Sequence, residues 1–253
     1  MTFTDSHCHF DFPEFDHTRE ELLNQLRESG VHRIIVPGVS ANLWQRQITT
    51  CGSLAPCYLA FGIHPWWIDD AKQQDLERLQ AYLGSHHRVV ALGEIGLDAK
   101  IDNMDKQVNF FEQQLSLAEQ LALPVLIHHR QTHHLITPIL KRKTRLQGGI
   151  IHAFSGSYQQ ARQYLDLGFK LGIGGVITYE RANKTRTAVT KLPLDALVLE
   201  TDAPSMPLAG HQGQTNSPTN LTAVFKQLCQ LREEPPAKIA GQLERNCEQL
   251  FSF

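Results

Sequence analysis

Short apolar runs alternate along the chain with longer polar stretches of helical period. The runs at 2–7, 33–37, 58–63, 89–94, 124–128, 149–153, 169–173 and 196–201 predict eight strands. Ile34-Ile35-Val36, Val125-Leu126-Ile127 and Ala196-Leu197-Val198-Leu199 are continuously apolar, as expected of strands covered on both faces of a parallel sheet. Over 104–121, Met104, Val108, Phe111, Leu115, Ala118 and Leu121 recur every three or four residues and draw one apolar stripe down a helix. Thr18 and Glu21 have capping-box spacing for the first helix, and Gly30 suits its stop. Gly84 and Gly168 suit two further stops, and Ser217-Pro218 an N-cap with its first helical residue.

Eight strand–helix alternations predict an α/β fold, a single (β/α)8 TIM-type barrel spanning residues 1–253 as one domain. The rival is an open doubly wound sheet, which normally brings a glycine-rich nucleotide loop. Neither G-x-G-x-x-G nor a Walker A sequence occurs. The G-x-S-x-G elbow of a serine hydrolase is also absent.

Length and composition adjust this picture through size, charge, cysteine and histidine. At 253 residues and 42% hydrophobic, the chain can bury a sizeable core. Its 24 basic and 26 acidic residues give a net charge of −2, which excludes a protein that holds nucleic acid or membrane by bulk positive charge. The five cysteines are odd in number and lack C-x-x-C spacing, and the chain opens without a basic, apolar leader. No apolar run approaches the roughly 20 residues of a membrane span. These features predict a soluble, cytoplasmic protein with no membrane association and no obligate protein partner.

The last adjustment is histidine, present 13 times. Barrel chemistry sits at the C-terminal ends of the strands. The predicted strands end on Asp5-Ser6-His7-Cys8-His9, Gly62-Ile63-His64-Pro65, Gly93-Glu94-Ile95-Gly96-Leu97-Asp98, Ile127-His128-His129-Arg130, Ile151-His152-Ala153-Phe154 and Glu200-Thr201-Asp202-Ala203-Pro204. His7 and His9, two apart on a strand, face the same way and can grip one cation; alone the spacing is weak evidence and reads more readily as two polar residues in a turn. His128 and His152 follow apolar runs, where a ring needs either a backbone carbonyl or an ion. Glu94 and Asp202 likewise need a partner, either an arginine or a divalent cation.

His7, His9, Glu94, His128, His152 and Asp202 together offer more ligands than the four of a closed structural zinc site. That surplus predicts two divalent ions per chain (zinc, magnesium or manganese) with Glu94 between them. Cys8 is expected to face away. His17, His32, His86, His87 and His211 read as solvated residues of helices or loops, and His129 as turned from the site. His133 and His134 begin the helix after strand five.

These motifs resemble the TatD-type metal-dependent deoxyribonucleases: Asp-Ser-His-Cys-His at 5–9, Gly-Ile-His-Pro at 62–65, Gly-Glu-Ile-Gly-Leu-Asp at 93–98, Pro-Val-Leu-Ile-His-His-Arg at 124–130, His-Ala-Phe-Ser-Gly at 152–156, Glu-Thr-Asp-Ala-Pro at 200–204 and Arg-Asn-Cys-Glu-Gln-Leu-Phe at 245–251. The resemblance spans essentially the whole chain. It implies a TIM-type barrel, metal held by the same six residues, and phosphodiester hydrolysis, often of DNA. His64 and Arg130 would then lie in the pocket beside the substrate. The chain departs from the family at Trp66 and Trp67, where a second histidine often follows the proline, and at Ser205-Met206, where an aromatic often stands.

The expected chemistry is attack by a metal-activated water on a nucleic-acid or other phosphoester substrate, at a DNA end or on a short single strand. Asp202 is the candidate general base. Arg130 can clamp phosphate, and His64 can orient it or protonate the leaving alkoxide. Asp98 and Glu200 are expected to orient ligands or Arg130. Trp66 and Trp67 either stack on a base or pack the barrel rim. The rivals are a barrel hydrolase of small C–N or C–O substrates (deaminase, amidase or lactonase) and a non-catalytic barrel stabilised by its metal.

Overall fold

Parallel hydrogen bonding joins eight strands in chain order, from β1 to β8, in a computed structural model that describes residues 1–253. The strands are β1 (Phe3–Asp5), β2 (Val31–Pro37), β3 (Cys57–Phe61), β4 (Val89–Asp98), β5 (Val125–Arg130), β6 (Gly149–Ile151), β7 (Phe169–Ile173) and β8 (Leu197–Leu199). Helices alternate with them: α1 (Arg19–Ser29), α2 (Trp44–Cys51), α3 (Gln73–Leu83), α4 (Met104–Leu121), α5 (His133–Lys141), α6 (Tyr158–Leu165), α7 (Asn183–Lys191) and α8 (Leu221–Leu231). A further helix, α9 (Pro236–Leu250), follows. The fold is the (β/α)8 barrel expected from the alternation.

Strand alternation sorts the core. Ile34 and Val36 pack into the large cluster shared with the helices, whereas Ile35 between them joins a second cluster with Ala60, Ala91, Leu126, Ile150 and Val198. Cys247 and Phe251, from α9 and the residue after it, complete that second cluster.

The ladder does not run from β8 back to β1. The seam closes through the segments beyond the strand ends: Ser6 N donates to Leu199 O, Asp202 N to His7 O and His9 N to Ala203 O, at 2.8–2.9 Å. Cys8 N donates the other way, to Ile35 O of β2. Asp5 reinforces the seam, its carboxyl accepting from His7 N, Thr201 N and Thr201 Oγ1.

Several local expectations change. His7 and His9 lie past the end of β1, in an extended segment rather than on a strand. Their backbone still bonds alternately to both neighbours, which preserves the same-face geometry. Thr18 precedes α1 without a side-chain cap bond, so the capping box does not form. Arg19 instead reaches back to Phe10 O, Phe12 O and Asp16. Gly30 ends α1 at φ +79°, where an L side chain would be strained. Gly84 follows α3 in a right-handed conformation. Ser217 caps a 3-10 turn at Pro218–Asn220 that leads into α8. His32 lies in β2 rather than a helix or loop, with its Nδ1 3.0 Å from Phe3 O.

The α4 stripe is turned slightly from the apolar residues alone. Phe111, Leu115 and Ala118 are buried as expected, but Leu121 is exposed, and Gln107 and Gln114 are buried. Both amides serve the barrel mouth. Gln114 pairs with both backbone groups of Ile63, next to His64. Gln107 accepts from Asp98 N at 2.9 Å and donates towards the carbonyls of Asp98, Ile101 and Asp102. Gln107→Leu keeps the volume but strands the buried Asp98 N–H. We expect a stability loss of about 2–3 kcal/mol, measured as a lower urea midpoint at unchanged m-value.

Candidate metal centre

Six strand ends converge at the barrel mouth. Glu94, on β4, lies between two sets of imidazoles. Its Oε2 is 3.2 Å from His7 Nε2 and 3.5 Å from His9 Nε2. Its Oε1 is 3.1 Å from His128 Nδ1, 3.4 Å from His64 Nε2 and 3.9 Å from His152 Nε2. Asp202, beyond β8, places Oδ1 3.4–3.7 Å from the Nε2 atoms of His152, His9 and His7. The His7 and His152 rings stack at 3.5 Å. Ligand-capable atoms of His7–Glu94–His152, of His7–His9–Asp202 and of His64–Glu94–His128 each lie within 4.8 Å of one another. All six candidate ligands are therefore brought together, and His64 stands with them.

The packing needs two accommodations. Gly96 pairs with His128 across β4 and β5 at φ +146°, and a Cβ there would come within 2.0 Å of His128 O. Gly172 on β7 leaves the space that the Glu200 carboxylate fills. Asp202 itself adopts φ +57°, an uncommon conformation for a non-glycine residue that turns its side chain into the cluster.

Two outer carboxylates hold the far nitrogens of two candidate ligands. Asp98 Oδ2 is hydrogen-bonded to His128 Nε2 at 3.2 Å, whereas Glu200 Oε1 lies 3.0 Å from His152 Nδ1 in an ion-pair contact that lacks hydrogen-bond alignment. A proton on each of those nitrogens leaves His128 Nδ1 and His152 Nε2 free to ligate, the usual carboxylate–histidine–metal arrangement. His64 is wired differently. Its Nδ1 accepts from Trp66 N at 3.0 Å, so in the neutral ring Nε2 carries the proton and donates into the site.

The electrostatics is unusual for a buried cluster. No Lys or Arg comes within ion-pair distance of Glu94, Asp202 or Glu200, so the arginine partner that would make these carboxylates purely structural is not there. Burial would raise the Glu94 carboxyl, but His64, His7 and His128 outweigh it and hold it well below its usual range. Burial would also raise Asp202, and His152 and His9 reverse this in the same way. Burial opposes charge on His152, yet Glu200 and Asp202 push its pKa up to about 10. His64 goes the other way: burial takes it down to about 4, so it is neutral at pH 7. His7 Nδ1, His7 Nε2 and His9 Nδ1 are buried with no hydrogen-bond partner. A set of carboxylates, imidazoles and unpaired polar atoms with no lysine or arginine partner is suited to divalent metal.

Above the cluster opens a cavity of about 400 Å³. Phe12, Val39, Trp66, Trp67 and Met206 supply its apolar wall, and Arg130, Ser155 and Ser205 polar groups. Arg130 is half exposed, with Nη1 4.0 Å from Asp98 Oδ2. A second hollow, along Asp69 and Asn103–Lys106, is shallow and remote from the histidines.

The remaining histidines stay out of the cluster, among them His32, which lies in β2. His129 turns away to pack on His133 and Phe154. His133 bonds Tyr164 Oη and Ser155 O, a structural role. Sequence reasoning missed Phe12 and the two α4 glutamines, whereas Met206, singled out as a departure from the family, lines the pocket. The glutamines left one signal, polar residues at spacings belonging to a buried helix face.

Comparison with known proteins agrees with this geometry. Residues 4–252 match the family described as TatD related DNase. The chain is 45% identical to the metal-dependent hydrolase YjjV of Escherichia coli (strain K12), over 99% of this chain and 98% of that one. The crystal structure of YjjV superposes with a TM-score of 0.95, covering 98% of this chain and 97% of that one. A 3′-5′ ssDNA/RNA exonuclease TatD from Cronobacter sakazakii is 33% identical over 94% of this chain and 93% of its own. The chain belongs to the TatD-related DNase family of metal-dependent hydrolases.

Proposed function

We propose that residues 1–253 act as one phosphodiesterase unit that hydrolyses single-stranded DNA from an end, using two divalent ions (zinc, magnesium or manganese). The observation that carries this reading is Glu94, whose two oxygens face two separate groups of imidazoles on the floor of an open pocket. On this reading His7, His9, Glu94 and Asp202 hold one ion, and Glu94, His128 and His152 the other. The name of the Cronobacter sakazakii relative supports a single-stranded substrate. So does a net charge of −2, which offers no bulk attraction for duplex DNA. Five free cysteines fit a reducing compartment, and we place the enzyme in the cytoplasm. No helix is long and apolar enough to cross a membrane. The candidate ligands and the pocket lining all come from one chain, which fits action without an obligate protein partner.

Ions held there would lower the pKa of a bound water towards about 7 and offset charge on the phosphoryl oxygens. The protein does the rest. Asp202, kept ionised by the imidazoles around it, accepts the proton of the attacking water. Arg130 reaches the pocket mouth to hold a phosphate through its planar fork. His64, neutral and protonated on Nε2, orients a phosphoryl oxygen as a hydrogen-bond donor. This replaces the acid role considered from sequence, because a ring with a pKa of about 4 carries no spare proton at neutral pH.

Metal loading has a protonic signature. His152 sits at about 10 in the metal-free protein and is therefore protonated at pH 7. A metal takes the neutral ring, so loading must expel that proton. Calorimetry in two buffers of different ionisation heat is expected to show release of about one proton from this group. Apparent affinity should climb from pH 7 towards pH 9. Loading without proton release would contradict the assignment of His152.

His128→Ala is expected to keep the fold by circular dichroism and lower kcat by about a hundredfold or more, as loss of a metal ligand does. Wild-type protein reconstituted with metal should cleave single-stranded DNA in a panel with duplex DNA, RNA, amides and lactones. Turnover of amides or lactones alone would overturn the phosphodiesterase reading.

A further inference from the structure

Hydrolysis of a phosphodiester accounts for the imidazoles, the carboxylates and Arg130. It does not account for the aromatic wall beside them. Trp66 is 54% exposed although it lines the cavity. A lone exposed tryptophan needs no explanation, but this one is fixed. Its Nε1 donates to Asp98 Oδ2 at 2.8 Å. Its ring meets His64 edge-on at 5.5 Å and lies 6.3 Å from the Trp67 ring. The oxygen that anchors it is the one 3.2 Å from His128 Nε2, and Arg130 reaches towards the same oxygen. A rigid, flat, solvent-open indole thus stands over the pocket, tied by one carboxylate to a candidate ligand and placed beside the candidate phosphate clamp.

We propose that Trp66 is the stacking platform for the unpaired terminal base of the substrate, and that its hydrogen bond to Asp98 makes it a positioning residue for His128. The inference rests on the phosphodiesterase reading and narrows it to substrates whose end carries an exposed nucleobase. The chemistry favours a base over other occupants. A flat π-surface stacks on any base regardless of sequence. A cavity of about 400 Å³ is small for a ligand site and takes one splayed nucleotide more readily than the end of a paired helix. Arg130, adjacent, meets the phosphate that such a base carries.

The test uses two single-stranded oligodeoxynucleotides, one with a base at every position and one with an abasic residue at each terminus. Metal-loaded wild type is expected to favour the first in kcat/KM by roughly ten- to a hundredfold, the span of one base–aromatic stack. In Trp66→Ala that preference should shrink towards one, chiefly through KM. Trp66→Phe keeps a flat ring and loses Nε1, so it should retain the preference while kcat falls several-fold on both substrates. Binding is read separately, by titrating a dinucleotide into metal-free protein. Tryptophan fluorescence should be quenched in wild type and the saturable quenching lost in Trp66→Ala.

Equal cleavage of the two oligonucleotides by wild type overturns the platform and leaves the phosphodiesterase reading standing. So does a Trp66→Ala variant that retains the preference. If wild type cleaves neither oligonucleotide, the phosphodiesterase reading falls, and the quenching arm alone decides whether Trp66 receives a base. A Trp66→Phe variant with unchanged kcat removes the link to His128 and leaves the stacking role.

Discussion

Two carboxylates buried without a lysine or arginine partner set the terms for the rest of the structure. Glu94 is 2% exposed and Asp202 8%, and neither has a Lys or Arg in reach. Removing such charges from water is costly unless something positive comes with them. Here the answer is a ring of imidazoles supplied by β3, β5, β6 and the segment after β1, and the strand order exists to bring them to one place. Asp98 and Glu200 then hold the backs of two of those rings, Gly96 and Gly172 clear space, and Gln107 and Gln114 fix the backbone of the loops. Each support makes sense only as part of keeping the central anions in company.

The same arrangement explains how a nearly neutral protein can handle an anionic substrate. Two of the four residues in the basic run Lys141, Arg142, Lys143 and Arg145 are paired: Arg142 with Glu112, and Lys143 with Glu119 and Ser116 on α4. Attraction is therefore concentrated at the pocket mouth rather than spread over the surface.

Much of this was legible in the sequence because a buried parallel strand has no reason to end on a charged or imidazole side chain. Apolar runs that stop on His7, Glu94, His128, His152 and Asp202 therefore announce a shared destination, and all eight strands appear near their expected positions. What escaped notice depends on side-chain direction rather than period. The indole of Trp66 turning to Asp98, and the tautomer of His64 fixed by a backbone N–H, follow from the short 3-10 turn at Pro65–Trp67. No hydropathy pattern encodes that turn. Gln107 and Gln114 look like surface residues until α4 is docked. The Thr18 capping box failed because Arg19 ties the approach to α1 elsewhere, a tertiary contact overriding a local signature.

The seam between β1 and β8 gives the barrel mouth a second meaning. Both strands are three residues long, and no ladder joins them. They meet through the segments that carry His7, His9 and Asp202. On the proposed reading, an ion held by those three groups would span the one join that the sheet leaves to loops. The cluster would then be a clasp as well as a reaction centre: the backbone of His7, His9 and Asp202 shuts the ring, and their side chains face the pocket. Mechanical closure and chemistry are coupled at this point, so residues far from the pocket that loosen the seam act on the site as directly as those that line it.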